Sequence, residues 1–200
     1  MLLVSLSVHE AAHAWSAEQL GDNTARLLGR VSINPIVHID LLGTIVLPLV
    51  AILSNLPILG WAKPVPVDIR NLGHNWRRKY MLVAAAGPAS NLLLAVIGAL
   101  VFHLMPSGGF DGELIARGSL VVTLLIQFVS MNVLLAVFNM LPVPPLDGGN
   151  VLAGLLQGPV ADAYDRLRPY GFIILYGLLL SGAFGVLVYP IYELLRGWLL

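Results

Sequence analysis

The sequence predicts an all-α polytopic membrane protein: about five transmembrane helices plus a short half-buried helix, with short surface β-strands or re-entrant loops between them. Three observations carry this. Hydrophobic residues make up 58% of the 200-residue chain and charged residues only 11%, less than half of the roughly 25% found in average soluble domains. The mean hydropathy is +0.84. Apolar windows of about 20 residues, long enough to span a hydrocarbon core as a helix, recur along the chain. With no linker, repeat or low-complexity tract, residues 1–200 read as a single domain.

The first window, residues 1–20, is interrupted by His9, Glu10, His13 and Glu18. It lacks the basic start and small-residue cleavage pattern of a signal peptide. The second, 41–61, contains Pro48, Asn55 and Pro57; the third, 80–105, contains Gly87, Pro88 and Asn91. The fourth, 118–141, has Gln127, Asn132 and Asn139 as polar members, and the fifth, 170–189, carries no charge. A shorter stretch, 146–156, follows a proline cluster and reads as the half-buried helix.

The connections 21–40 and 62–79 hold most of the charges, with strand-compatible runs at Arg30-Val31-Ser32-Ile33 and Val65-Pro66-Val67. Alternating spans would put Arg26, Arg30, Arg117 and Arg196 on one side. Lys63, Arg70, Arg77, Arg78, Lys79, Arg166 and Arg168 would fall on the other, which the positive-inside rule makes cytoplasmic. Eleven Lys and Arg balance eleven Asp and Glu, which argues against a nucleic-acid partner. The absence of cysteine excludes disulfides, thiolate metal sites and Cys nucleophiles. A metal would be held by His, Asp, Glu or Asn.

His9-Glu10-Ala11-Ala12-His13 is the pattern H-E-x-x-H in a helical window. Residues i and i+4 share a helix face, so both imidazoles reach one ion. Glu10, roughly 100° round the helix from His9, lies beside that ion without being a ligand. Ionisable residues in a spanning segment default to function; the bland alternative is a polar patch between helices. Catalytic zinc usually takes three protein ligands, and the candidates for a third are Asp40, Asp68, Asp111, Glu113, Asp147, His38, His74 and His103. Asp147 stands out in Leu141-Pro142-Val143-Pro144-Pro145-Leu146-Asp147-Gly148-Gly149, an irregular stretch suited to lining a cavity at membrane depth. An N-cap of the following helix is an equal reading of Asp147.

The H-E-x-x-H helix, then Gly87-Pro88-Ala89-Ser90-Asn91, then Phe138-Asn139 leading into Pro144-Pro145-Leu146-Asp147-Gly148-Gly149, resembles the site-2 proteases. These are polytopic intramembrane zinc metalloproteases. Gly29 to Pro35 with His38 and Asp40, and Gly60 to Val67, resemble the compact prokaryotic subgroup. The likeness covers 7–152, and only the last span, 170–189, lacks a motif. It implies one Zn2+ per chain held by His9, His13 and Asp147, with Glu10 as general base.

The resemblance also sets Asn139 and Asn91 beside the site, touching substrate backbone or the developing oxyanion; the alternative for each is an interhelical hydrogen bond. His38 and Asp40 match a subgroup motif as a support around the site, a surface lid or an extra metal contact, against a plain loop role. His74 and His103 read as interfacial. The implied partners are a lipid bilayer and a transmembrane-helix protein substrate, the location a prokaryotic plasma membrane, crossed several times. Neither a PDZ nor a CBS domain is present, so the expectation is a minimal catalytic core. The rival is a membrane metal-binding protein or ion transporter using the same His/Asp cluster.

Overall fold

The structure, a computed structural model, describes residues 1–54, 62–105 and 120–200. Helix α1 (Leu2–Gln19) carries the H-E-x-x-H pattern and buries a face of small and polar residues, Ser5, Ser7, His9, His13, Ala14 and Ala17. Two short turns of helix, α2 (Thr24–Leu27) and a 3-10 turn at Pro35–His38, lead to a π-helical stretch at Leu41–Val46 that runs into α3 (Leu47–Leu53). An irregular strap through 62–75 then reaches α4 (Trp76–Leu104). After it come α5 (Leu120–Asn139), α6 (Asp147–Leu155), α7 (Gly158–Asp165), α8 (Gly171–Leu180) and α9 (Ala183–Leu199).

Helix α4 is the central post, packed on α1, α5 and α6. Its buried positions, Ala84, Gly87, Asn91, Ala95 and Gly98 among them, recur three or four apart on one face. Small side chains at that spacing let neighbouring backbones approach, the packing device of apolar helices in lipid. At Gly98 an added Cβ would lie 3.0 Å from Phe128 and Val129 of α5. The apolar core, built from Ala95, Ala99, Val129, Val133 and Val137 with Leu175 and Val188, joins α4 and α5 to the last two helices. Much of the remaining apolar surface, such as Leu93, Ile97 and Leu100 on α4, faces outward, as in a protein solvated by lipid.

Five independent spans are not what this fold shows. Among the described residues two helices, α4 and α5, are long and apolar enough to cross a membrane, and a third span results if the bent run from Gly158–Leu180 to Ala183–Leu199 is one. The 170–189 window is therefore not one continuous rod. It breaks at Ser181-Gly182, where Gly182 takes φ +75° and Ser181 Oγ accepts the Ala183 N–H, with a 79° bend. The 41–61 window is helical to Leu53, and its remainder from 55 lies outside the described residues. No β-strand forms among the described residues: the runs Arg30–Ile33 and Val65–Val67 are irregular or extended without a ladder.

The alternating arrangement of charges is also corrected. Lys79 Nζ, at the start of α4, donates to Leu20 O at the end of α1 (3.1 Å), so the whole segment 20–75 leaves and returns at one end of the bundle. Arg30 reaches Lys63 O and Pro64 O directly, and Arg77 pairs with Asp165 at 2.9 Å. Arg26, Arg30, Lys63, Arg70, Arg77, Arg78, Lys79, Arg166 and Arg168 consequently belong to the same end. Arg196 lies at the other, where His103 Nε2 meets Leu199 O at 3.0 Å.

Candidate metal centre and active site

Helices α1 and α4 run antiparallel, so the one-turn spacing of His9 and His13 is met along α4 by Asn91, Gly87 and Val83. His13 Nδ1 lies 2.7 Å from Val83 O. A main-chain carbonyl only accepts, so Nδ1 carries a proton, and in the neutral ring Nε2 keeps its lone pair. His9 Nδ1 lies 2.6 Å from Asn91 Oδ1, which does the same for the other ring. The two rings meet edge to face, with centroids 4.6 Å apart.

Asp147 completes the group from the far end of the chain. Its carboxylate oxygens stand 3.0 Å from His9 Nε2 and 3.3 Å from His13 Nε2, and the two Nε2 atoms are 3.0 Å apart. Asp147 opens α6, yet Leu146 occupies the N-cap position and no side chain caps this helix. The carboxylate is turned to the imidazoles, so the capping reading does not describe it. Gly148 makes the turn possible: a Cβ there would fall 2.2 Å from Met140 O.

Three lone-pair atoms thus converge, all within 4.8 Å of one another. Tetrahedral ligands about 2 Å from a common ion sit about 3.3 Å apart, close to the distances observed, and two imidazoles with a carboxylate are a donor set that zinc accepts. Gly87 supplies the room, because a Cβ on it would come within 2.4–2.6 Å of both rings. The residues fit a divalent cation.

Glu10 points beside this cluster and not into it. Its Oε2 accepts the backbone N–H of Val65 at 3.1 Å, from the strap. The strap is held on both flanks. Arg30, buried, donates to Val37 O, Lys63 O and Pro64 O, and Lys63 N–H donates to His38 O at 2.8 Å. On the other flank, buried Asp22 accepts the Asp68 N–H (2.8 Å) and the Asn71 amide (2.9 Å). Burial pushes the Asp22 carboxyl up, but the hydrogen bonds from Asn71, Thr24 and Asp68 outweigh it and hold the group below the ordinary carboxylate value. A cavity of about 540 Å³ opens over His9, Glu10, His13 and Asp147, walled by Val65 and Asn139 among others.

The remaining sequence candidates separate clearly. Asn139 lines the cavity, its Nδ2 donating to Leu135 O at 3.0 Å. Asn91 is fully buried, with its oxygen on His9 and its amide nitrogen on Asn132 and Ser5, hydrogen bonds that run from α4 to α1 and α5. His38 is buried with Nε2 2.7 Å from Ser32 O, and Asp40 accepts the Gly43 N–H at the start of the π-helical stretch. Both shape the 21–46 connection that anchors the strap and lie outside the three-residue cluster. Asn132, Asp22, Arg30 and the Val65 N–H were not singled out by sequence. The one local signal was that Val65, between Pro64 and Pro66, carries the sole N–H of that tripeptide.

An H-E-x-x-H helix facing a carboxylate among apolar helices is the arrangement of a membrane-embedded metallopeptidase. The comparisons agree. A family model described as Peptidase family M50 matches residues 110–181. A Bacillus subtilis (strain 168) protein named "Putative zinc metalloprotease YwhC" is 38% identical over 193 residues, 94% of this chain and 82% of its own length. Proteins named "Putative zinc metalloprotease Rip2" from Mycolicibacterium smegmatis and Mycobacterium tuberculosis (strain H37Rv) are 30% and 28% identical, over 90% and 96% of this chain and 65% and 71% of theirs. No solved structure matches the chain significantly. The chain belongs to peptidase family M50, the site-2 proteases.

Proposed function

We propose that the chain is an intramembrane zinc metalloendopeptidase that hydrolyses peptide bonds in or near transmembrane segments of membrane proteins. The observation that carries this is the cluster of His9, His13 and Asp147, with both Nδ1 protons tied down and three lone pairs facing one point. One Zn2+ per chain is the ion these residues would hold. When bound, it lowers the pKa of a water towards roughly 7 and polarises the scissile carbonyl. Glu10, held by the Val65 N–H, is placed to take the proton of the attacking water and return it to the leaving amine. Asn139 is the cavity amide placed to hydrogen-bond substrate backbone or the oxyanion.

The domain reading keeps 1–200 as one catalytic unit, with 7–152 as its motif-bearing core. The clustering of nine cationic residues at one end, by the positive-inside rule, makes that end cytoplasmic in a multi-pass plasma-membrane protein. A transporter would also use mid-membrane His and Asp, but it has no use for a carboxylate held beside the cluster by a main-chain donor. Glu10→Gln tests the reading. Zinc content stays at one per chain, and cleavage of a membrane-inserted helix by the purified protein in proteoliposomes is abolished. If wild type cleaves no such helix with zinc bound, the enzymatic reading fails.

A further inference from the structure

Beyond the three candidate ligands and the general base, the bundle buries an amide that belongs neither to the cavity lining nor to the three-residue cluster. Asn132, on α5, is fully buried. Its Nδ2 donates to Phe128 O of its own helix at 2.9 Å, and its Oδ1 accepts from Asn91 Nδ2 at 3.1 Å. We propose that Asn132 is a positioning residue for the metal ligand His9, acting through the side-chain amide of Asn91. This rests on the zinc reading above.

The argument is one of proton direction. A carbonyl oxygen on the main chain accepts and never donates, so Phe128 O draws the NH2 of Asn132 towards itself and leaves the Asn132 oxygen facing α4. That oxygen draws the NH2 of Asn91, which also has a longer contact, 3.4 Å, to Ser5 O. The Asn91 oxygen is then left for His9 Nδ1 at 2.6 Å. His9 must carry its proton on Nδ1, and Nε2 keeps the lone pair that faces His13 and Asp147. Each step has one orientation because the first does.

Without the Asn132 oxygen, only the long Ser5 contact opposes a half-turn of the Asn91 amide. A turned amide would present NH2 to His9, favour the proton on Nε2, and remove the lone pair from the cluster. Groups that fix the second nitrogen of a ligating imidazole commonly matter 10–100-fold in metal affinity.

A cycle of four full-length proteins in nanodiscs tests this: wild type, N132L, N91D and N91D/N132L. Leu keeps the branched shape of Asn132, in a somewhat larger side chain, and deletes both its acceptor and its donor. Asp at 91 accepts from His9 with either oxygen, so it has no orientation to lose. Zinc affinity is read by competition with a chromophoric chelator, and the Co2+ absorption spectrum reports ligand geometry. The expected result is that N132L weakens zinc binding about tenfold or more and alters the Co2+ bands, whereas N91D/N132L matches N91D within about twofold.

Equal losses in both backgrounds would make Asn132 a packing residue only, and no loss in either would also overturn the proposal. N132D covers the case where N132L fails to fold. Its protonated carboxyl keeps an oxygen towards Asn91 and a hydroxyl towards Phe128, so zinc affinity stays within about threefold of wild type, and a greater loss counts against the relay. Wild type that binds no zinc would refute the metal reading itself, a result distinct from all of these.

Discussion

The backbone N–H of Val65 donates to Glu10 Oε2 at 3.1 Å, joining residues 55 positions apart. The contact fixes one oxygen of the general-base candidate with a main-chain group that, at residue 65, only proline can remove. Pro64 and Pro66 flank it and have no N–H of their own.

Val65→Pro deletes that donor, at a position that the following Pro66 already biases towards extended backbone. A hydrogen bond to a charged group is worth about 1.5–3 kcal/mol. The expected outcome is a kcat roughly tenfold or more lower with zinc content unchanged, measured on a membrane-inserted substrate. Val65→Ala, which retains the N–H, should cleave at close to the wild-type rate. Equal rates for V65P and V65A would remove the contact from catalysis.

Gly87→Ala should empty the metal centre while sparing the fold. Within a helix Ala is better than Gly by about 0.5–1 kcal/mol, so α4 itself tolerates the change. The new methyl, however, would lie 2.4 Å from His13 Nε2 and 2.6 Å from His9 Cε1, and neither ring can retreat without leaving its Nδ1 partner. Metal analysis of purified G87A should find zinc far below one per chain and helix content by circular dichroism unchanged. A full complement of zinc would show that the rings repack.

Asp22 makes anchoring of the strap dependent on pH. Its folded pKa lies below the ordinary 3.8 because its hydrogen bonds outweigh burial. A depressed carboxylate pKa contributes stability that is fully present above the unfolded value and lost as pH falls through the folded one. Protease nicking within 62–73 should therefore stay slow at neutral and mildly acidic pH and rise once the pH drops below about 4. In Asp22→Asn the segment should be nicked readily at neutral pH, with a flatter acid response. A D22N profile that overlays wild type would place the anchor elsewhere.

The candidate site was legible in sequence because its residues are local or confined to rare residue types. His9, Glu10 and His13 lie within one helical turn, and Asp147 sits in a proline-rich stretch with few rivals. Helices α4 and α5 were legible too, since each contains a long apolar run, 80–104 and 120–139, without Asp, Glu, Lys or Arg. The span count was not. A hydropathy window cannot see that Lys79 returns to Leu20, which brings the start of α4 back to the end of α1, or that Gly182 bends the last window. Asn91 illustrates a subtler limit: one amide offers both a donor and an acceptor, and only the placement of Asn132 and Ser5 decides which faces His9. The strap anchors Arg30 and Asp22 bind main-chain groups, which leave no trace in side-chain patterns.

The candidate ligands lie far apart in the sequence, the imidazoles at 9 and 13 and the carboxylate at 147. During synthesis the imidazoles therefore emerge long before the carboxylate that would complete their coordination. A nascent molecule passes through the insertion machinery, itself built of transmembrane helices, without a finished hydrolytic centre. The order of residues along the chain thus leaves the candidate centre incomplete until α6 has formed and packed against α4.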